Sequence, residues 1–252
     1  MCDYITGMLI AENIAKIEER IRKACVSTGR EREEITLMGV SKFVPISMVD
    51  EAWRAGISFF GESRVKEGTE KFTVFRKEYS DLTDTCRLSV HLIGSLQRNK
   101  AKTAALFFDC IQSVDRLELI EELAKYVCAR EKPLEVLLEL HTGEETKSGF
   151  EDFDDLFRAV ELILTVSGLK AAGLMTMAPY MDDMTQLSAI STVRSSFRQL
   201  VKAQEELNKR FPFIDREKGS WDCLSMGMSN DFEIAIEEGS TMLRIGSMIF
   251  KG

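Results

Sequence analysis

The run Ile35-Thr-Leu-Met-Gly-Val40, followed at once by Ser41-Lys42, sets the fold class. Its apolar residues are consecutive rather than alternating, so both faces of the segment need cover, as in a parallel sheet. Upstream, Ile10, Ile14, Ile17, Ile21 and Cys25 recur at helical spacing and predict an amphipathic helix that Gly29 ends. Downstream, Pro45 opens a second helix marked by Met48, Val49, Ala52 and Trp53 and closed by Gly56, and the next apolar run is Ile57–Phe60. The alternation continues with strands expected at Arg87–Ile93, Phe107–Ile111, Leu134–Leu140, Leu169–Met175, Cys223–Met226 and Thr241–Ile245, each separated from the next by a helical stripe. Eight strands alternating with helices over 252 residues match the ~250 residues of a (β/α)₈ barrel. The expectation is one α/β domain, residues 1–252, a TIM barrel with an extra N-terminal helix. An open doubly wound sheet is the rival, weakened because no Gly-rich dinucleotide turn follows the first strand.

Composition removes several function classes. Lys and Arg number 33 against 41 Asp and Glu, a net charge of -8, which disfavours a nucleic-acid partner. No apolar run reaches the ~18–20 residues that cross a bilayer, and the N-terminus lacks a signal-peptide pattern, so no membrane partner and a cytoplasmic location are expected. The six cysteines form no CxxC pair and only His91 and His141 could add imidazole, which argues against a metal centre and a disulfide scaffold.

In such a barrel the working face lies at the carboxyl ends of the strands. Lys42 closes the first strand. At a barrel mouth it is expected to be partly desolvated, which disfavours the ammonium form and leaves an amine able to condense with an aldehyde. A solvated strand-end lysine is the plainer alternative. After strands seven and eight come Ser225-Met-Gly-Met-Ser229 and Arg244-Ile-Gly-Ser247, with a short helix from about Asn230 to Glu237 between them. Phosphate sites favour those two loops, where glycines admit the anion and hydroxyls donate to it. A plain capping box from Asn230 and Glu233 is the alternative reading. A lysine for an aldehyde and a cradle for a phosphate in one mouth suggest pyridoxal phosphate.

Eight segments, in order and over nearly the whole chain, carry a resemblance. They are Val40-Ser-Lys42, Phe60-Gly-Glu62, His91-Leu-Ile-Gly94 with Leu96-Gln97 and Asn99-Lys100, Ile111-Gln-Ser-Val-Asp115, Gly143-Glu-Glu-Thr-Lys-Ser-Gly149, Gly173-Leu-Met175, Leu224-Ser-Met-Gly-Met-Ser229 and Glu237-Glu-Gly-Ser-Thr-Met-Leu-Arg-Ile-Gly246. The chain resembles the YggS/PROSC family of pyridoxal-phosphate homeostasis proteins, relatives of the barrel domain of alanine racemase. The resemblance implies pyridoxal phosphate held as a Schiff base on Lys42, with Ser229, Gly246 and Ser247 at its phosphate and Arg244 beside its pyridine nitrogen. It also implies that Lys147 is a second lysine near the cofactor and that His91 and Met226 line the site. Two positions depart from the family pattern. Ser63 stands where Asn is usual, a shorter polar arm toward the ring, and Val90 where Trp often stands.

A guanidinium beside the pyridine nitrogen disfavours its protonation and weakens the ring as an electron sink. Racemases of this lineage add a tyrosine from a separate C-terminal domain, and this sequence stops at Gly252, soon after the eighth strand. The expected role is therefore a monomeric carrier that buffers pyridoxal phosphate or passes it to apo-enzymes, not an enzyme. The alternatives are a weak fold-type III racemase or decarboxylase with Tyr180 or His91 as the opposing base, and a phosphosugar barrel enzyme with Lys42 as an aldolase-like amine.

Overall fold

The computed structural model describes residues 2–79, 88–128, 130–143, 148–212 and 219–251. Strands β1 (Thr36–Val40), β2 (Phe59–Glu62), β3 (Ser89–Leu92), β4 (Cys110–Val114), β5 (Leu134–Glu139), β6 (Leu169–Met175), β7 (Gly219–Ser225) and β8 (Met242–Ile245) are all parallel, and β8 pairs with β1 to close the barrel. The helices are α1 (Cys2–Thr28), α2 (Ile46–Arg54), α3 (Val65–Glu78), α4 (Ala101–Phe107), α5 (Leu117–Val127), α6 (Phe153–Thr165), α7 (Leu187–Arg210), α8 (Phe232–Glu237) and α9 (Ser247–Phe250). The expected barrel with its leading helix is the observed architecture. Among the described residues, no helix is long and apolar enough to cross a membrane.

The core lies between barrel and helices. Ile10, Ile14, Ile17 and Ile21, the stripe that predicts α1, are all buried. Helix α1 packs against α2, α8 and α9, and its buried Asn13 amide donates to the Ile249 carbonyl at 3.2 Å. Gly29, at φ 69°, is the left-handed stop after α1.

Three strands, β2, β4 and β7, depart most from the apolar runs. Strand β2 starts two residues later because Ile57 N–H still donates to Ala52 O and closes α2. It then runs through Glu62, whose buried carboxylate pairs with Lys71 at 2.8 Å, so a charge does not end the strand. Strand β4 is displaced because Phe108 N–H caps α4 on Ala104 O, while Gln112 and Ser113 are buried in the strand despite their polarity. Strand β7 begins at Gly219, four residues before the expected start.

Two corrections concern the end of the chain. Helix α8 begins at Phe232 with Asp231 at its N-cap, and there is no Asn230–Glu233 box, because Glu233 pairs with Arg20 at 2.8 Å instead. After β8 the backbone makes one more helical turn, α9, with Ile249 and Phe250 N–H groups on Gly246 O. That turn is too short to display a period in sequence.

Candidate functional site

A cavity of about 660 Å³ opens at the carboxyl end of the barrel. That volume is in the range of small-molecule sites. Six of the nine residues singled out in the sequence line it: Lys42, Ser63, Ser229, Arg244, Gly246 and Ser247. They come from the ends of β1, β2, β7 and β8, as the strand-end rule requires. His91 and Met226 do not line it. His91 sits inside the barrel on β3, and the cavity wall begins with Ile93, Gly94 and Ser95 beyond that strand's end. Met226 is fully buried in the core. Lys147 lies outside the described residues.

Lys42 stands on a turn held by its neighbours. Ser41 Oγ donates to Glu62 Oε1 at 2.7 Å, and Lys71 Nζ donates to Ser41 O at 2.7 Å. On the other side Phe43 N–H donates to Glu67 Oε1 at 2.5 Å. Phe43 has φ 60°, the one positive value of a non-glycine among the described residues, and Arg64 lies over its ring at 5.1 Å. Residues in that region are uncommon and cluster where surrounding structure enforces them. The expectation of a water-poor amine is corrected here: Lys42 is exposed. The chain leaves β1 at Val40, so Lys42 projects from the turn rather than from the buried strand.

Behind it is a buried ion pair. Glu62 is fully buried, with Oε1 on Ser41 and Lys71, and Oε2 has no hydrogen-bond partner among the described residues. Burial raises the Glu62 carboxyl above its ordinary value, against the pull of Lys71 and Ser41.

Arg244 is fixed through its side chain. It is 3% exposed, and Nη1 donates to Ser225 O at 2.6 Å and to Ser225 Oγ at 2.7 Å, while Nη2 donates to Thr176 O at 2.8 Å. Burial lowers its pKa from the ordinary value, opposed by the charges of Asp231 and Glu139. Both acids also line the cavity. Asp231 is pushed up by burial, although its Oδ1 accepts the Met228 N–H.

The two final turns meet at Ser247 Oγ, which donates to Ser229 Oγ at 3.1 Å. A Cβ on Gly246 would lie 3.1 Å from Val40 O and 3.2 Å from Val40 Cβ, so a side chain there would crowd β1. Gly227, at φ 95°, turns the chain ahead of Ser229. An amine, two hydroxyls and a guanidinium on one cavity suit a phosphorylated aldehyde with a basic ring nitrogen. The set therefore fits pyridoxal phosphate.

Sequence reasoning passed over Glu139, Asp231 and the strap on Lys42. No local pattern announces a buried acid at a mouth; only the strand-end position does. Cys110 is buried and Cys223 half-buried, and burial holds both thiols above their ordinary value, which disfavours the nucleophilic thiolate. Among the described residues, no group of three or more His, Cys, Asp or Glu is placed to hold a metal ion.

Residues 10–252 match the family described as alanine racemase, N-terminal domain. The pyridoxal phosphate homeostasis protein of Vibrio cholerae is 37% identical over 243 residues, 96% of this chain and 95% of that one. A crystal structure of a protein from Bifidobacterium adolescentis superposes with a TM-score of 0.85 at 30% identity, covering 98% of this chain and 96% of that one. The structure of PipY from Synechococcus elongatus with PLP bound superposes with a TM-score of 0.75 at 30% identity, covering 96% and 99%. This chain belongs to the alanine racemase N-terminal domain family, in its branch of pyridoxal phosphate homeostasis proteins.

Proposed function

We propose that this protein binds pyridoxal phosphate at the barrel mouth, carries it on Lys42 and buffers it or delivers it to apo-enzymes, with little or no turnover of its own. The observation that carries the reading is that Lys42, Arg244, Ser229 and Ser247, from opposite ends of the chain, line a single cavity. The relatives' names and the PLP-bound PipY structure support it.

Each residue has a part that follows from its chemistry. The Lys42 amine, on a strapped turn but exposed, is reachable by an aldehyde entering from solvent and by an acceptor that takes it away. Ser229 and Ser247 have hydroxyl protons to offer a phosphate. Arg244 can only donate, so it favours an unprotonated nitrogen opposite it. When bound, the cofactor supplies an electrophilic carbonyl and a ring that withdraws electrons best when its nitrogen is protonated. Arg244 works against that last condition, which suits storage better than carbanion chemistry.

A second reading, a weak racemase or decarboxylase, needs a base opposite Lys42. Tyr180 is on the cavity wall, yet it is 67% exposed, a poor setting for a base that must hold one position.

The test is a visible spectrum of the purified protein with added pyridoxal phosphate, followed by borohydride reduction and peptide mapping. Reduction should fix one label at Lys42, and Lys42→Ala should lose it. A protein that stays colourless, or a label spread over other lysines in the wild type, overturns the reading. Robust, saturable deuterium exchange at Cα of an amino acid would favour the second reading.

A further inference from the structure

Inside the barrel, below the cavity, a row of buried polar side chains leads away from Arg244. Arg244 Nη1 meets Ser225 Oγ at 2.7 Å, Ser225 Oγ meets Gln112 Oε1 at 2.7 Å, Gln112 Nε2 meets His91 Nδ1 at 2.8 Å, and His91 Nε2 meets Ser89 Oγ at 2.9 Å. Ser225 and Gln112 are fully buried and His91 is 4% exposed. The row joins β8, β7, β4 and β3.

Its polarity is dictated from one end. A guanidinium has donors and no acceptor. Ser225 Oγ therefore accepts from Arg244 and must point its own proton elsewhere, to Gln112 Oε1. That fixes the amide: oxygen toward Ser225, NH₂ toward His91. An NH₂ group only donates, so His91 Nδ1 must be the acceptor and its proton sits on Nε2, facing Ser89. The second amide proton meets Met242 Sδ at 3.1 Å, a weak acceptor that a flipped amide oxygen would repel. Reversing any bond would put two donors or two acceptors face to face in a buried interior.

We infer that Gln112 is a positioning residue: through Ser225 it sets the direction of the Arg244 guanidinium, and His91, held as the Nε2–H tautomer, keeps the Gln112 amide from turning. The inference deepens the proposed function, since it concerns the group that would face the pyridine nitrogen.

Two experiments separate its failure from that of the proposed function. The first needs no cofactor. Nitrogen-15 NMR of the purified protein should show His91 protonated at Nε2 only; an Nδ1–H tautomer or a doubly protonated ring overturns the relay. The second uses pyridoxal phosphate as probe. Gln112→Leu removes the acceptor for Ser225, and should weaken binding about tenfold and move the visible absorption maximum. Gln112→Glu restores an acceptor toward Ser225 and should return the maximum to its wild-type position, even if His91 changes its proton. Ser225→Ala should match Gln112→Leu, and thermal melts identify any variant that has not folded. Unchanged spectra in both Gln112→Leu and Ser225→Ala overturn the inference while leaving cofactor binding intact. Absence of binding in the wild type overturns the proposed function and leaves the NMR result standing.

Discussion

The two halves of the cavity hold their key side chains in opposite ways. On the β1–β2–α3 side the backbone is clamped and the side chain is left loose: Glu62, Lys71 and Glu67 grip Ser41 and Phe43, while Lys42 between them reaches solvent. On the β7–β8 side the side chain itself is clamped. The Arg244 guanidinium donates to Ser225 and Thr176, and Thr176 is held in turn by its hydroxyl on Leu140 O at 2.9 Å and by contact with Thr142. On the proposed function, a point of covalent attachment would have to swing to let cargo on and off, and a group that discriminates charge would have to stay still. The two kinds of restraint match those two needs.

The comparison breaks most severely at Lys71. Lys71→Met leaves the Glu62 carboxylate buried without its cation, and should cost about 3–5 kcal/mol in denaturant unfolding at neutral pH. The loss should shrink in acid. The folded-state pKa of Glu62 is raised, so the stability tied to its protonated form is fully present below the unfolded value and is lost as pH rises through the folded one. The Lys71→Met profile should therefore fall from acid toward neutral pH more steeply than wild type, and a parallel profile would contradict the buried-pair account.

On the opposite side, Gly227→Ala places a Cβ 2.5 Å from the Ala235 Cβ at φ 95°. It should lose about 2–4 kcal/mol and displace Ser229, so calorimetric affinity for pyridoxal phosphate falls with stability. Glu67→Ala should be gentler, about 1 kcal/mol in stability, with a faster release of bound pyridoxal phosphate followed by stopped-flow absorbance. Smallest is the pair at Phe43. Val, branched at Cβ, fits φ 60° worse than Phe and should cost about 1 kcal/mol, whereas Phe43→Asn should remain within about 0.5 kcal/mol in thermal melts. Equal effects of Val and Asn would show that the turn relaxes.

The barrel was legible because apolar runs and helical stripes alternate without interruption, and the mouth was legible because strand ends define it. Lys42, Ser229, Arg244, Gly246 and Ser247 all emerge from that rule. What the rule misplaces are residues one layer down. His91 and Met226 lie in conspicuous motifs, but the motif says nothing about depth: the pleat of β3 turns His91 into the barrel interior, and Met226, just past β7, packs into the core. Polar residues inside strands, such as Gln112 and Glu62, blur the apolar runs, because their partners Ser225 and Lys71 are recruited by the closed fold and not by any local spacing. The expected desolvation of Lys42 fails for a related reason: a turn, unlike a strand, has no neighbours above it.

The pairing of Thr36–Gly39 with Met242–Ile245 is what sets residue 42 beside residue 244. During synthesis Lys42 leaves the ribosome long before Arg244 exists. A growing chain therefore has the Lys42 amine without the cavity around it, and the cavity forms only when β8 pairs with β1. If Lys42 carries the aldehyde as proposed, loading would report a completed fold, because a chain without its last strand has the amine but lacks Arg244, Gly246 and Ser247 beside it.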